Sequence, residues 1–409
     1  MAALTATVSL LKLKSYLGDN RVKRENIMKT ESYSNVEVGP IRPPSEATSL
    51  MLRVTRNCSW NRCKFCHLYK GQEFSMRSVD EIISDIDAIK RNIDEILFAN
   101  QQGQDALRLL DQDLRKRSVE QRNAFELSLQ WLRNGMTSVF LQDGNSIVYK
   151  PSDLLAVLNH LTATFPQIER ITTYARSKNL YRIKDETLSA FAQAGLNRIH
   201  IGMETGSDVV LENVNKGVTK EEQIIAGQKV KKSGIELSVY FMPGLGGEAF
   251  SDLNAIETAD AFNQINPDFI RLRSLGVPKE TELYQDLRSG EFTKLGDKAV
   301  VKELQLFLEH LEGIESTIMS DHILNLLQEV EGKLPADKSK MLGVVDRFLS
   351  LDKHDQTLYM VGRRTGIFSK LDDTYDIELA PHAQYQVNSH QVTPNNVEEF
   401  TAKMLEQFI

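Results

Sequence analysis

The sequence predicts an α/β fold: a partial (β/α)6, TIM-like barrel with a helical insertion after the first strand and a mainly helical C-terminal extension. Three observations predict it. Strand-like and helical stretches alternate through six units between about residues 50 and 275, the pattern of a parallel sheet with helices outside it. A long, charged stretch with apolar residues at helical spacing interrupts the alternation after its first strand. Beyond Pro278 the apolar spacing turns mainly helical.

Taken in order, residues 1–48 form a polar lead-in that ends in the proline-rich "VGPIRPPSEATS". Its start, "MAALTATVSLLKLKSYLGDN", has no basic segment ahead of a continuous apolar core and no A-x-A cleavage site, so it does not read as a signal peptide. The barrel is assigned to residues 49–276. Its first strand is "LMLRVTR", and the insertion spans about 78–134, where two or three helices are expected with Gly103 and Gly135 as punctuation. The remaining strands are "TSVFLQD", "RITTYA", "NRIHIGM", "ELSVYFMPG" and "DFIRLRSL". Between them lie four helices: "PSDLLAVLNHLTATF" with Pro151 in its first turn, "KDETLSAFAQAG" closed by Gly195, "TKEEQIIAGQKVKKSG" closed by Gly234, and "SDLNAIETADAFNQI". The extension, 277–409, is read as the helices "AVVKELQLFLEHL", "HILNLLQEVEG" and "KSKMLGVVDRFLSL".

Composition narrows the function classes. Lys plus Arg total 49 against 56 Asp plus Glu, a formal charge of −7. That balance argues against wholesale nucleic-acid binding, which calls for a basic domain. No apolar run approaches the roughly 18 residues needed to cross a bilayer. The odd number of cysteines, three, points to a reducing compartment, and a cytoplasmic location is expected. No Ser-His-Asp arrangement, Walker loop or metalloprotease motif is present.

All three cysteines, Cys58, Cys63 and Cys66, fall in the stretch "RNCSWNRCKFCHLYKG". Inert buried cysteines would be scattered. A closed zinc site wants four protein ligands, usually as two separated pairs, and here there is one triplet. A 4Fe–4S cluster held by three thiolates leaves one iron open to a small molecule.

The spacing C-x4-C-x2-C, with Phe65 just before the last cysteine and a β-strand just before the first, resembles the radical S-adenosylmethionine (radical SAM) superfamily. The commonest form of that motif is C-x3-C-x2-C, so this chain carries one extra residue in the first gap. The resemblance covers about residues 48–275 and implies a 4Fe–4S cluster on Cys58, Cys63 and Cys66. It implies that the open iron chelates S-adenosylmethionine (SAM), whose reductive cleavage gives a 5′-deoxyadenosyl radical that abstracts hydrogen from substrate. It further implies cofactor contacts at Phe65 in the cysteine motif, at Gly144 and Asn145 in "LQDGN", with Asp143 as another stand-in for an absent "GGE", at Arg176 in "YARSKNL", at Glu204 in "HIGMETG", and at Met242 and Gly244 in "YFMPGLGGE". The segment after Glu204 is similar to coproporphyrinogen-oxidase-like and methylthiotransferase-like members. A flavodoxin or ferredoxin-type electron donor is the implied partner, and the basic run "RVTRNCSWNRCK" offers it a docking face.

Strand alternation adds a reading of its own. Period two places Ile199, Ile201 and Met203 on one face and His200, Gly202 and Glu204 on the other. Likewise Ile270 and Leu272 oppose Arg271 and Arg273, Leu237, Val239 and Phe241 oppose Ser238, Tyr240 and Met242, and Leu52 and Val54 oppose Arg53. Thr172, Tyr174 and Arg176 fall together. One face is apolar and the other repeatedly polar, which predicts an open barrel with a ligand-filled lumen. Arg271 and Arg273 are candidate substrate residues, and arginine forks suit a small anionic substrate. His200 is a candidate catalytic and substrate-contacting residue, and Tyr240 a candidate hydrogen-bond or hydrogen-atom donor. His322 is read as the start of a helix after a capping Asp, or as a side chain reaching over the barrel mouth. Two further functions stand beside radical enzymology: a haem- or cofactor-binding and trafficking protein on the same scaffold, and an RNA-modifying enzyme. Acidic charge, the lack of a second cysteine triad and the lack of an RNA-binding β-domain argue against the last, so nucleic acid is not the expected partner.

Overall fold

The computed structural model describes residues 36–101 and 117–406. Strand β1 (Leu50–Arg53) is followed by a small hairpin, β2 (Thr55–Arg56) with β3 (Ser75–Met76), and the cysteines lie between its two strands. The insertion supplies α1 (Val79–Gln101) and α2 (Val119–Arg133). Gly103, expected to punctuate it, lies outside the described residues, whereas Gly135 follows α2 with a φ of +85°. A capping box closes the start of α2, where Ser118 and Gln121 satisfy each other's backbone amides.

The barrel then alternates strand and helix. Strand β4 (Ser138–Gln142) leads to α3 (Pro151–Thr164), and β5 (Arg170–Ala175) to α4 (Ser177–Arg182) and α5 (Asp185–Gln193). Strand β6 (Leu196–Glu204) leads to α6 (Asp208–Asn213) and α7 (Lys220–Lys232), and β7 (Glu236–Phe241) to α8 (Ser251–Ile265). Strand β8 (Phe269–Leu272) leads to α9 (Glu282–Ser289) and α10 (Asp297–His310). Gly195 and Gly234 end α5 and α7 in the left-handed region that glycine adopts without cost.

The extension is mainly helical, with α11 (Lys338–Ser350), α12 (Lys353–Arg364), α13 (Leu379–Ser389) and α14 (Val397–Leu405). It also adds two short strands that the periodicity did not reveal, β9 (Thr317–Met319) and β10 (Gly332–Lys333). The sheet therefore has eight strands in the order β1-β4-β5-β6-β7-β8-β9-β10, parallel up to β9 and antiparallel for the last pair. The expected helix over "HILNLLQEVEG" does not form. Leu324, Leu326, Leu327 and Val330 are buried, but tertiary partners take the backbone acceptors a helix would use. Arg364 donates to the Leu324 carbonyl at 3.0 Å, Arg363 to the Asn325 carbonyl at 3.3 Å, and Ser320 Oγ to the Leu327 carbonyl at 2.9 Å.

The predicted alternation is realised. Leu52, Val139, Leu141, Ile171, Ile199, Ile201, Val239, Ile270 and Ile318 all belong to one apolar core, together with residues of the surrounding helices. The opposite face carries Phe140, Tyr174, His200, Tyr240 and Arg271. Residues 1–35 of the lead-in lie outside the described residues; residues 36–48 pack against this inner layer. Gln142 accepts from the Gly39 amide at 2.8 Å and donates to the Ile41 carbonyl at 2.6 Å. Glu37 pairs with Arg53 at 3.0 Å, while Glu46 is fully buried and accepts from Ser49 Oγ at 2.5 Å. Among the described residues no helix is long and apolar enough to cross a membrane.

Candidate active site around the cysteine loop

The cysteine loop is fixed from several sides. Asn57 and Asn61 take positive φ values of 69° and 48°, which asparagine tolerates better than most residues. Lys64 donates its amide to the Val214 carbonyl at 2.9 Å, and its carbonyl accepts from Leu283 at 3.0 Å. Trp60, inside the enlarged first gap, donates Nε1 to the Asn215 carbonyl at 2.8 Å and covers Gly217, where a Cβ would stand 2.3 Å from the indole.

The three thiols are unpaired and half-buried. Among the described residues, the group whose ligand atoms all lie within 4.8 Å of one another is Asp352, His354 and Asp355, an exposed set far from this loop in sequence. The cysteine sulfurs are spread more widely than that. A mononuclear zinc ion at about 2.3 Å from each sulfur would require them to stand closer than that. Burial pushes the Cys63 and Cys66 thiols up. Lys216 pulls both back, helped at Cys63 by Arg176 and at Cys66 by the Leu68 amide and Arg273. These cations suit a site that must carry thiolate charge.

Arg176 projects from the end of β5 with its guanidinium 4.8 Å from the Trp60 ring centre, and it donates to the Lys216 carbonyl at 2.7 Å. Glu204, at a φ of +68° beside a bulge in β6, accepts from Lys216 Nζ at 3.3 Å. The same ammonium lies 5.4 Å from the Phe65 ring centre. Arg176, Glu204 and Phe65, three of the expected cofactor contacts, thus meet at Lys216, which sequence reasoning missed. Its only signal was a position twelve residues beyond Glu204, in the turn that follows α6.

Gly144 sits over Cys58, whose Cβ would be 3.6 Å from an added methyl group. Asn145 is fully buried and holds neighbouring loops together: its Nδ2 donates to Ser59 Oγ and to Asn179, and its Oδ1 accepts from the Arg176 amide. Asp143 is taken up by Arg53 at 2.8 Å and by the Tyr69 hydroxyl. Met242, just past the end of β7, belongs to a small apolar cluster with Val210, Val214, Leu245 and Leu275, with Phe65 packed against it, and Gly244 follows two residues on.

Deeper in the lumen, Tyr174, His200 and Tyr240 form an aromatic floor with ring centres 5.6 to 6.4 Å apart. The hydroxyls of Tyr174 and Tyr240 are 3.5 Å apart. His200 is on the predicted face but fully buried beneath the tyrosines, 3.8 Å from Glu46, and burial holds it neutral. It lines the floor rather than the mouth. The two candidate substrate arginines separate. Arg271 is buried and already occupied, by Ser238 Oγ at 3.3 Å and Asp321 at 3.1 Å. Arg273 is exposed, and among the described residues no side chain pairs with its guanidinium. Its charge acts on Cys66, Tyr174, Tyr240 and His322. His322 does not start a helix. It belongs to the irregular segment that Asn325 pins to β8 through the Leu272 carbonyl at 2.8 Å.

The sequence profile described as "Radical SAM superfamily" matches residues 52–259, just over half of the chain. The mitochondrial tRNA methylthiotransferase CDK5RAP1 of Rattus norvegicus is 22% identical over 302 residues, covering 71% of this chain and 47% of that protein. The tRNA uridine(34) acetyltransferase of Methanocaldococcus jannaschii is 25% identical over 119 residues, covering 29% of this chain and 22% of that protein. The chain thus spans less than half the length of either relative. The solved structure of coproporphyrinogen III oxidase (HemN) from Escherichia coli, described as a radical SAM enzyme, is 14% identical. It covers 61% of this chain and 50% of that chain with a TM-score of 0.40.

Proposed function

Because this chain belongs to the radical SAM superfamily, and is thus an enzyme whose cofactors are a 4Fe–4S cluster and SAM, we propose that it initiates radical chemistry on a small anionic substrate held at the barrel mouth. Cys58, Cys63 and Cys66 would hold the cluster, and the chemistry supplied there would be one-electron cleavage of a sulfonium C–S bond into methionine and a 5′-deoxyadenosyl radical able to take a hydrogen atom from the substrate, the electron coming from the external donor. The chain's own residues divide the remaining work. Arg176, Lys216 and Glu204 present two cations and a carboxylate beside the cluster loop, the complement of an amino-acid zwitterion. Met242 and Gly244 offer apolar surface and backbone on the nucleoside side. Tyr174, His200 and Tyr240 form the floor, and the Tyr240 hydroxyl is the candidate hydrogen-bond or hydrogen-atom donor on it.

The observation that carries the substrate class is Arg273: exposed, unpaired by any described side chain, and close enough for its charge to act on Cys66 and Tyr240. A guanidinium there matches a carboxylate or phosphate with two parallel hydrogen bonds. A flavodoxin or ferredoxin-type donor would meet the basic segment that surrounds the cysteines. The tRNA enzymes among the relatives support a second reading, in which the anion is an RNA phosphate. Anaerobic reconstitution followed by assay of 5′-deoxyadenosine release tests both. Release stimulated by a small carboxylate or phosphate metabolite supports the first. Stimulation by RNA alone supports the second and removes the first.

A further inference from the structure

The turn after β7 is held by a residue from beyond the matched family region. Glu303 lies in α10 and is 2% exposed. One carboxylate oxygen accepts from the Gly244 amide at 2.8 Å and from Asn254 Nδ2 at 2.7 Å, and the other accepts from Ser251 Oγ at 2.6 Å. Asn254 Nδ2 also donates to the Met242 carbonyl at 3.2 Å. A single buried carboxylate thus ties α10 to the turn directly, through the Gly244 amide, and indirectly, through Asn254, to the Met242 carbonyl.

The turn has little freedom to compensate. Gly244 adopts a φ of +90°. An added Cβ on Gly246 would stand 2.6 Å from the Phe250 carbonyl. Without Glu303 the buried Gly244 amide would lose its acceptor, and a buried donor left unpaired is costly enough to rearrange a loop. Burying a carboxylate is itself unfavourable. An apolar side chain would fill the same volume more cheaply, so the acceptor geometry is what distinguishes a glutamate at this position.

We propose that Glu303 is a positioning residue for SAM, holding the Met242–Gly244 backbone in the shape that receives the nucleoside part of the cofactor. The inference rests on the reading of that turn as cofactor-facing. It places a requirement for cofactor binding in the segment beyond residue 259, past the matched family region.

The test uses the full chain, anaerobically reconstituted with the cluster kept oxidised so that SAM is not cleaved, and titrated with SAM by calorimetry. Thermal midpoints are recorded in parallel. Glu303→Leu should bind SAM about tenfold more weakly or worse, whereas Glu303→Gln, whose amide oxygen still accepts from Gly244 and Asn254, should stay within about twofold of wild type. A folded Glu303→Leu protein with wild-type affinity overturns the proposal, and so does a Glu303→Gln protein as weak as the leucine variant. Should Glu303→Leu fail to fold, Asn254→Ala decides. A loss of about threefold or more is expected there from the lost bridge to Met242, and an unchanged Kd overturns the proposal. A cluster-loaded wild-type chain with no affinity for SAM would instead overturn the underlying reading of the turn, and this inference with it.

Discussion

The guanidinium of Arg176 stacks 4.8 Å from the centre of the Trp60 ring, joining the end of β5 to the enlarged gap between the first two cysteines. Arg62 approaches the same ring at 5.3 Å. The extra residue in the motif is therefore accommodated by an indole anchored at three points: to two arginines through its face and to Asn215 through its nitrogen.

Replacing Trp60 by leucine should loosen this loop. The cation–π contact and the hydrogen bond to the Asn215 carbonyl together are worth about 1–2 kcal/mol. The expected outcome is lower iron and sulfide retention after reconstitution, with the fold outside the loop intact by circular dichroism. Fluorescence gives an independent reading, because the second tryptophan, Trp131, is a buried residue of α2 and donates Nε1 to the Ser138 carbonyl. Cluster assembly should quench the Trp60 component of the wild type and leave a Trp60→Phe protein nearly unchanged. Equal quenching in both proteins would place the cluster elsewhere.

Arg271 and Arg273 should respond differently to substitution, although the alternation of β8 makes them look equivalent. With an anionic substrate identified by stimulated 5′-deoxyadenosine release, Arg273→Ala should raise KM about tenfold or more, the loss of a charge-assisted contact. Asp321→Asn should lower KM or leave it unchanged, since it frees the Arg271 fork from its internal carboxylate. Arg271→Ala should chiefly cost stability, because it leaves Ser238 buried and Asp321 unpaired. An Arg273→Ala enzyme with wild-type KM would remove the substrate role assigned to that residue.

The contrast between these arginines shows what was legible in the sequence. Period two put Arg271, His200 and Tyr240 on one face of the sheet, with Arg273 just past the end of β8, and the cysteine triplet marked where a cluster is expected. Which arginine is already satisfied depends on Asp321, fifty residues on, and no local pattern announces that contact. Lys216 and Glu303 were hidden for the same reason, since each acts across the fold rather than along an element. The segment over residues 322–331 misled for a related cause: its leucines are spaced as in a helix and are indeed buried, but Arg363, Arg364 and Ser320 claim carbonyls that helical hydrogen bonding would need. The strands β9 and β10, at three and two residues, are too short to carry a periodic signal.

His322 provides a titration at the chamber mouth. Burial, and then the charge of Arg273, pushes its pKa down to about 4. The ring is therefore neutral at pH 7, and its contribution to stability is lost as pH falls from the ordinary value of 6.5 towards 4. Arg273→Ala should raise the His322 pKa part of the way back, since burial, the larger cause, remains. Imidazole NMR signals followed from pH 4 to 8 measure this directly. A pKa that does not move in the variant would mean that Arg273 points away from the chamber.

Glu303 gives the last prediction, and its sign is opposite to that of an exposed, salt-bridged carboxylate. Burial pushes its pKa from the ordinary 4.5 up to about 7; hydrogen bonds from Ser251, Gly244 and Asn254 pull back, and Asp252 adds to the push. The folded state therefore binds the proton more tightly than the unfolded chain, and stability falls as pH rises from about 4.5 to 7. Glutamine mimics the protonated acid and carries no such penalty. Urea unfolding of wild type and Glu303→Gln, prepared in the same cluster state, should show the wild type losing up to about 3 kcal/mol relative to the variant across that window. A difference that is flat with pH would mean that Glu303 is ionised throughout, its three donors outweighing the cost of burial.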